Sequence, residues 1–286
     1  MESSFERPSA GRRRMSCQLA ALTNTYHGYS LEDALAGIEA AGFENVELAA
    51  VRGWTEHVLL DADEAEINRV KNLTREHGLE IVSVSGHANL ATDEGIELFR
   101  EAMDLCEALG VRLIITGAGG ELHPGEENVE ALRSAFLERI QGVADEAKMR
   151  ALTVCVEIHG DVVPTGAVGA RLIEEAGRDN VRLNYDTGNA AFYGGMNPAE
   201  DIAHALPYVA HVHLKDHVGE KGNWDFPAIG DGDVNFDRIF ERLDEVGYEG
   251  PCSVELEFQG EPWPPLSEVD RATKRSYEFL SRYIPR

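Results

Sequence analysis

From residue 16 onward the chain repeats one pattern: a short, mostly apolar run, then a longer stretch whose apolar positions recur every three or four residues. The short runs are 16–22, 45–49, 80–85, 112–116, 152–157, 181–185, 209–214 and 252–256. Near-continuous apolar runs of this length predict strands covered on both faces. Between them the period becomes helical, for example at 31–41, 62–77, 93–109, 126–149 and 236–246. Three of these stretches stop at a glycine (Gly42, Gly78, Gly110), the residue that most readily takes the left-handed conformation ending a helix. Strand–helix alternation repeated eight times predicts a parallel sheet closed on itself, a (β/α)8 TIM barrel spanning residues 16–286 as one domain. The competing arrangement is a doubly wound open sheet, but the GxGxxG turn that would follow its first strand is absent.

The 286 residues suffice for one large core, and no linker rich in Pro and Ser divides them. Residues 1–15 are polar and include Arg12, Arg13 and Arg14, so they are read as a disordered extension, with Met15 a second candidate start. The longest irregular stretch, 216–234, follows strand seven, and its length suits a lid or a substrate wall.

In such barrels chemistry sits at the C-terminal ends of the strands. From strand five onward those ends carry Glu157 in VCVEIHGD, Asp186 in LNYDTGN, His213 in HVHLKDH and Glu255 in CSVELEF. Three carboxylates converging with an imidazole would repel one another without a cation. As an O/N donor set they suit one divalent ion, Mn²⁺, Mg²⁺ or Co²⁺, with Zn²⁺ a further candidate. Side chains two apart on a strand point the same way. His159, Lys215 and Glu257 would therefore stand one layer above the ligands and line a substrate pocket. His211 would sit one layer deeper, as a hydrogen-bonded core histidine or a further ligand. His87 closes strand three as a candidate substrate contact, and Glu47 is read as the end of strand two, either in the site or in a salt bridge. Gly117, Gly119 and Gly120 could form a phosphate cradle or a tight turn, and no basic residue accompanies them. Trp224 and Phe226 would either stack on a sugar ring or fill the core of their own loop.

This set suits proton transfer on a sugar-like polyol. Removing a proton beside a carbonyl leaves an enediolate whose charge a divalent ion stabilises, and carboxylates such as Glu157 and Glu255 can take and return the proton. Return at the opposite face is epimerisation, return at the neighbouring carbon is isomerisation, and loss of a β-hydroxyl is dehydration.

The segments VEIHGD, LNYDTGN, HVHLKD and IGDGDVNFDRIFERLDEVGYEGPCSVELE resemble the sugar phosphate isomerase/epimerase family of xylose isomerase-like TIM barrels. That family includes ketose 3-epimerases, hydroxypyruvate isomerase and inosose dehydratase. The resemblance covers nearly the whole chain after residue 15. It implies an enzyme, a metal-dependent isomerase or epimerase with a lyase as the alternative. Its ligand order of Glu, Asp, His and Glu falls on Glu157, Asp186, His213 and Glu255, and it implies that both glutamates also move the proton. Asn189 stands where several ketose epimerases carry a substrate-binding histidine.

Charge narrows the alternatives. The net charge is −25, and only five of the 26 basic residues are lysines. So acidic a surface repels phosphate backbones, which argues against nucleic-acid partners and against an endonuclease IV-like repair enzyme of the same barrel type. A barrel that only binds sugar would not need four ligands. Cys17, Cys106, Cys155 and Cys252 are scattered, without zinc-type pairing, and are read as buried thiols in a reducing compartment. No apolar run reaches membrane-spanning length. The expectation is a cytoplasmic enzyme with a small-molecule sugar or polyol substrate and no membrane partner, with homo-oligomerisation left open.

Overall fold

The structure is a computed structural model that describes residues 15–119, 128–260 and 262–284. Residues 1–14, Gly120 and Glu126 lie outside the described residues, and with them all but Met15 of the expected extension, the last glycine of the cradle and the start of the fourth helix.

Eight parallel strands form a closed barrel in sequence order: β1 (Gln18–Leu22), β2 (Asn45–Ala49), β3 (Glu80–Ser85), β4 (Leu113–Thr116), β5 (Thr153–Glu157), β6 (Val181–Asp186), β7 (Val209–Leu214) and β8 (Pro251–Val254). Closure is made by β1 against β8, with Gln18 opposite Pro251 and Ala21 opposite Val254. The sheet has no free edge to invite strand addition. Around it run α1 (Leu31–Ala41), α2 (Glu64–Glu76), α3 (Asp93–Leu109), α4 (Val129–Met149), α5 (Gly166–Ala176), α6 (Thr187–Phe192), α7 (Pro198–Ala205), α8 (Phe236–Glu245) and α9 (Leu266–Leu280). Their buried stripes, such as Leu31, Leu35 and Ile38 in α1 or Phe99, Met103 and Cys106 in α3, pack on the outward faces of the strands in one continuous core. Local chemistry agrees with these boundaries. Ser30 and Asp33 close a capping box on α1, and Gly42 and Gly110 end α1 and α3 in the left-handed conformation. All four cysteines are buried free thiols.

Two boundary expectations are corrected. Strand eight ends at Val254 and not at residue 256, so Glu255 stands just beyond it. The direction of its side chain survives because the ladder continues: the Glu255 N–H donates to Leu214 O (3.0 Å) and the Ile158 N–H to Asn184 O (3.0 Å). Glu47 lies at the middle of β2 and not at its end, which sends its carboxylate deep into the barrel.

The long connection after β7 is pinned by one side chain. Asp216 is fully buried and accepts the backbone N–H groups of His217, Gly230, Gly232 and Val234 at 2.8–3.1 Å. Phe226 is buried there in an aromatic cluster with Phe192 and Trp224. Of the two roles open to these residues, Phe226 fills the loop's own core, whereas Trp224 packs against it and remains 39% exposed; neither lines the cavity at the barrel mouth.

Candidate active site

Each of the four acidic or imidazole residues expected at the barrel mouth is buried, and one ligand atom from each lies within 4.8 Å of all the others. Glu157 is the last residue of β5 and Asp186 the last of β6, while His213 is the penultimate residue of β7. The sequence DTGN explains the Asp186 corner. Asp186 ends β6 and also caps α6, its Oδ1 accepting the Asn189 N–H at 2.7 Å. Gly188 follows because a Cβ there would lie 2.7 Å from Cγ of Lys215, closer than non-bonded carbons approach.

His213 holds the centre. Its Nδ1 is 2.9 Å from Glu157 Oε1, 3.4 Å from Glu255 Oε2 and 3.9 Å from Asp186 Oδ2, and its Nε2 is 3.1 Å from Glu47 Oε1. Burial alone would lower the His213 pKa, but the carboxylates of Glu47, Glu255 and Glu157 outweigh it and hold the imidazole well above its ordinary range. Burial likewise raises the Glu157 carboxyl, yet His213 and His87 reverse the shift and keep it well below the usual range. Glu255 behaves in the same way: Lys215 and His213 overcome burial and bring it to about 2. Asp186 goes the other way, raised by burial and then by Glu255 and Glu157, against the opposing pull of Lys215 and His213.

The donor set fits a small cation. Asp186 Oδ2 and Glu255 Oε2 are buried and, among the described residues, have no hydrogen-bond partner. Buried carboxylate oxygens without a hydrogen bond, Glu255 Oε2 facing only the longer ionic contacts of His213 (3.4 Å) and Lys215 (3.5 Å), are what a divalent ion would satisfy. Glu157, Asp186, His213 and Glu255 are the residues that could hold it.

Above this layer opens a cavity of about 360 Å³, large enough for a monosaccharide-sized molecule. All five residues expected as substrate contacts, His87, His159, Asn189, Lys215 and Glu257, line it together with Glu157 and Glu255. Asp186 and His213 are fully buried and are not among its lining residues. His87 hydrogen bonds through Nε2 with Glu157 Oε2, and its Nδ1 is 2.9 Å from Ser85 Oγ. Lys215 is 2% exposed; its Nζ bonds to Glu257, donates to Asn189 Oδ1 (3.3 Å) and lies 3.5 Å from Glu255 Oε2. Burial would lower the pKa of this amine, but Glu255, Glu257 and Asp186 keep it well above its ordinary value, so it carries a full positive charge. Glu257 is raised by burial and then by Glu255, against Lys215. Gly117 and Gly119 border the same cavity.

Comparison with known proteins agrees with this geometry. The family model for the xylose isomerase-like TIM barrel matches residues 35–283. The chain belongs to that family. Among its relatives, an L-ribulose 3-epimerase from Mesorhizobium japonicum is 26% identical over 246 residues, covering 79% of this chain and 75% of the relative. An inosose dehydratase from Geobacillus kaustophilus is 26% identical over 223 residues, covering 67% of this chain and 70% of the relative. Among solved structures, a D-psicose 3-epimerase crystallised in the presence of D-fructose superposes with a TM-score of 0.75 at 16% identity. The match covers 93% of this chain and 99% of that one, and it shows a shared fold.

On this xylose isomerase-like barrel three further residues reach the site that strand-end reasoning did not single out or mislocated. Asn24, two residues past β1, donates from Nδ2 to Glu255 Oε1 at 3.4 Å. The same two-residue parity that located His159 and Lys215 would have found it. Trp54 lines the cavity, stacks on His27 with ring centroids 4.1 Å apart and donates from Nε1 to Asn24 Oδ1 (3.0 Å). It lies in a loop beyond β2, where no periodicity marks it. The third is Glu47, beneath His213. Its neighbour His211 is fully buried and hydrogen bonded to Ser83, Ser253 and Asn184, as expected of a core histidine, and its Nε2 also lies 3.0 Å from Glu47 Oε2.

Proposed function

We propose that this chain is a divalent-metal-dependent enzyme that moves a proton beside the carbonyl of a keto-sugar or keto-polyol, as an epimerase or isomerase. The carrying observation is the buried cluster of Glu157, Asp186, His213 and Glu255, with two carboxylate oxygens that, among the described residues, make no hydrogen bond, directly beneath the cavity. Relatives named as ketose 3-epimerases and inosose dehydratases support a sugar or polyol substrate.

Bound by these four residues, Mn²⁺, Mg²⁺ or Co²⁺, with Zn²⁺ a further candidate, would supply Lewis acidity toward neighbouring substrate oxygens. The chain's own groups do the rest. Glu157 and Glu255 come from β5 and from the end of β8, three strands apart around the barrel, so their carboxylates reach a bound substrate from different sides. Both are ionised at neutral pH, and either can accept the proton of the carbon next to the carbonyl. His87, bonded to Glu157, orients that carboxylate and can pass its proton on. The Lys215 ammonium, with Asn189 and Glu257 beside it, offers hydrogen bonds to hydroxyls and balances the charge that develops on substrate oxygens. Trp54 and His159 form part of the cavity wall against which a bound sugar would rest.

A second reading, dehydration of an inosose or a 3-keto sugar in the same site, is favoured by Lys215. A buried ammonium within 3.5 Å of Glu255 is placed to donate to a departing β-hydroxyl. One experiment separates the readings. The wild-type protein is incubated with Mn²⁺ and a panel of ketoses, inososes and 3-keto sugars in D₂O, and products are followed by NMR. Deuterium at an inverted or shifted carbon establishes the epimerase or isomerase, whereas a deoxy-diketo or enol product establishes the dehydratase. Product without solvent deuterium, or full turnover in protein verified to be metal-free, ends the proposal. Glu157→Gln and Glu255→Gln should each lower turnover by at least roughly 10²-fold, measured at equal metal occupancy.

A further inference from the structure

Below the four-residue cluster the barrel interior carries a second polar layer where apolar side chains would ordinarily pack. Glu47 from β2, Ser83 from β3, Asn184 from β6, His211 from β7 and Ser253 from β8 are all fully buried. The Glu47 carboxylate spans two histidines: Oε1 is 3.1 Å from His213 Nε2, and Oε2 is 3.0 Å from His211 Nε2. His211 is held independently, its Nε2 also lying 3.1 Å from Ser83 Oγ and 3.2 Å from Ser253 Oγ, and its Nδ1 2.9 Å from Asn184 Oδ1. His213 has no such redundancy on its lower side. Among the described residues, its Nε2 hydrogen bonds to Glu47 alone.

We propose that Glu47 is a positioning residue that presents His213 to the divalent ion in one tautomer and one ring orientation, an inference that rests on the metal-dependent reading above. An ionised carboxylate can only accept a hydrogen bond. The nitrogen facing Glu47 must therefore carry hydrogen, which leaves the lone pair of the neutral ring on Nδ1. That atom faces Glu157, Glu255 and Asp186. Were the proton on Nδ1 instead, the ring would aim an N–H at the ion and leave Glu47 facing a lone pair in a dry core. The bond also fixes the ring plane, since His213 is anchored above and below by groups from different strands. A carboxylate behind a metal-binding imidazole additionally makes the ring a stronger donor. Glu47 and His211 do not form a separate ion site in this arrangement, because His213 cannot serve both clusters through one nitrogen each while keeping a proton.

The test uses the full chain with metal alone as the probe. Metal-free wild type, Glu47→Gln and Ser83→Ala are titrated with Co²⁺, and ¹⁵N-labelled wild type is loaded with Zn²⁺ for imidazole NMR. Expected are one ion per wild-type chain, binding weakened about 10–100-fold in Glu47→Gln, and binding within about twofold of wild type in Ser83→Ala. Ser83→Ala removes a contact of the same buried layer that touches His211 and not His213, so a merely structural role for Glu47 would move both variants together. In the NMR spectrum the His213 proton should sit on Nε2 and exchange slowly. Unchanged affinity in Glu47→Gln, an equal loss in Ser83→Ala, a second ion per chain, or a Zn²⁺-loaded His213 protonated on Nδ1 would each overturn the assignment while leaving the metal-dependent reading intact. A wild-type chain that takes up no ion would sink both. Should Glu47→Gln fail to fold, the wild-type spectrum alone decides.

Discussion

Asp186→Asn separates the contribution of a ligand from that of a core residue, because the structure gives it opposite effects with and without the ion. The substitution keeps the volume and the oxygen that accepts the Asn189 N–H at 2.7 Å, and it replaces Oδ2, which has no partner, with an amide nitrogen. In the metal-free protein the Asp186 carboxyl is pushed well above its usual range by burial and by Glu255 and Glu157, more than Lys215 and His213 offset. Neutralising it relieves that repulsion, so the metal-free thermal midpoint should be unchanged or higher. With the ion present the sign reverses. A unit charge pair at about 4 Å in an effective dielectric of about 20 is worth roughly 4 kcal/mol. Relief of repulsion in the empty site returns part of that, so a tenfold loss of affinity, about 1.4 kcal/mol, is the lower bound. At an ion concentration of roughly 100 times the wild-type Kd the wild type gains about 2.7 kcal/mol, and the variant at most about half of that. At roughly 2–4 °C per kcal/mol for a chain of this size, the wild type should rise by about 5–10 °C on adding Mn²⁺ or Co²⁺ and the variant by about 5 °C or less. Thermal melts with and without metal, beside a direct titration, read both signs. Equal metal-induced shifts in the two proteins, or a metal-free variant that melts well below wild type, would show that Asp186 is a structural residue and refute the ligand assignment.

Two further outcomes follow from the same structure. Ion uptake needs an unprotonated His213 Nδ1, and in the metal-free protein burial is outweighed by Glu47, Glu255 and Glu157, which hold the His213 pKa well above its ordinary value. Uptake therefore displaces a proton, and apparent Co²⁺ affinity should rise with pH between about 6 and 8; a pH-independent Kd contradicts this. A chain starting at Met15 should keep the thermal midpoint and turnover of the full protein, since Met15 is already buried and its N–H donates to Tyr283 O at 3.4 Å. A fall in both measurements would assign residues 1–14 a part in the fold.

Much of this architecture was legible because it is encoded locally. Strand and helix periods are properties of neighbouring residues, and eight alternations leave few closures other than a barrel. The same locality placed Glu157, Asp186, His213 and Glu255 at strand ends, and side-chain parity placed His159, Lys215 and Glu257 above them. Parity held past the ends of β5 and β8 because ladder hydrogen bonds continue one residue further, at Ile158 and Glu255. Asn189 came from a resemblance, and the structure gives it a physical place, where its N–H bonds to Asp186 and its side chain accepts from Lys215.

What the tertiary structure alone decided are contacts between residues far apart in sequence whose own surroundings look ordinary. The FENVELAA strand left Glu47 either in the site or in a salt bridge, and only barrel closure carries its carboxylate to a histidine 166 residues away. Asn24 reaches Glu255 across 231 residues because β1 and β8 are neighbours in the closed sheet. Trp54 enters the cavity on a loop with no period to betray it. A sequence specifies which face of a strand each residue occupies, but how deep that face lies and whose side chain it meets depend on the stagger of strands around the barrel, which only the assembled sheet fixes.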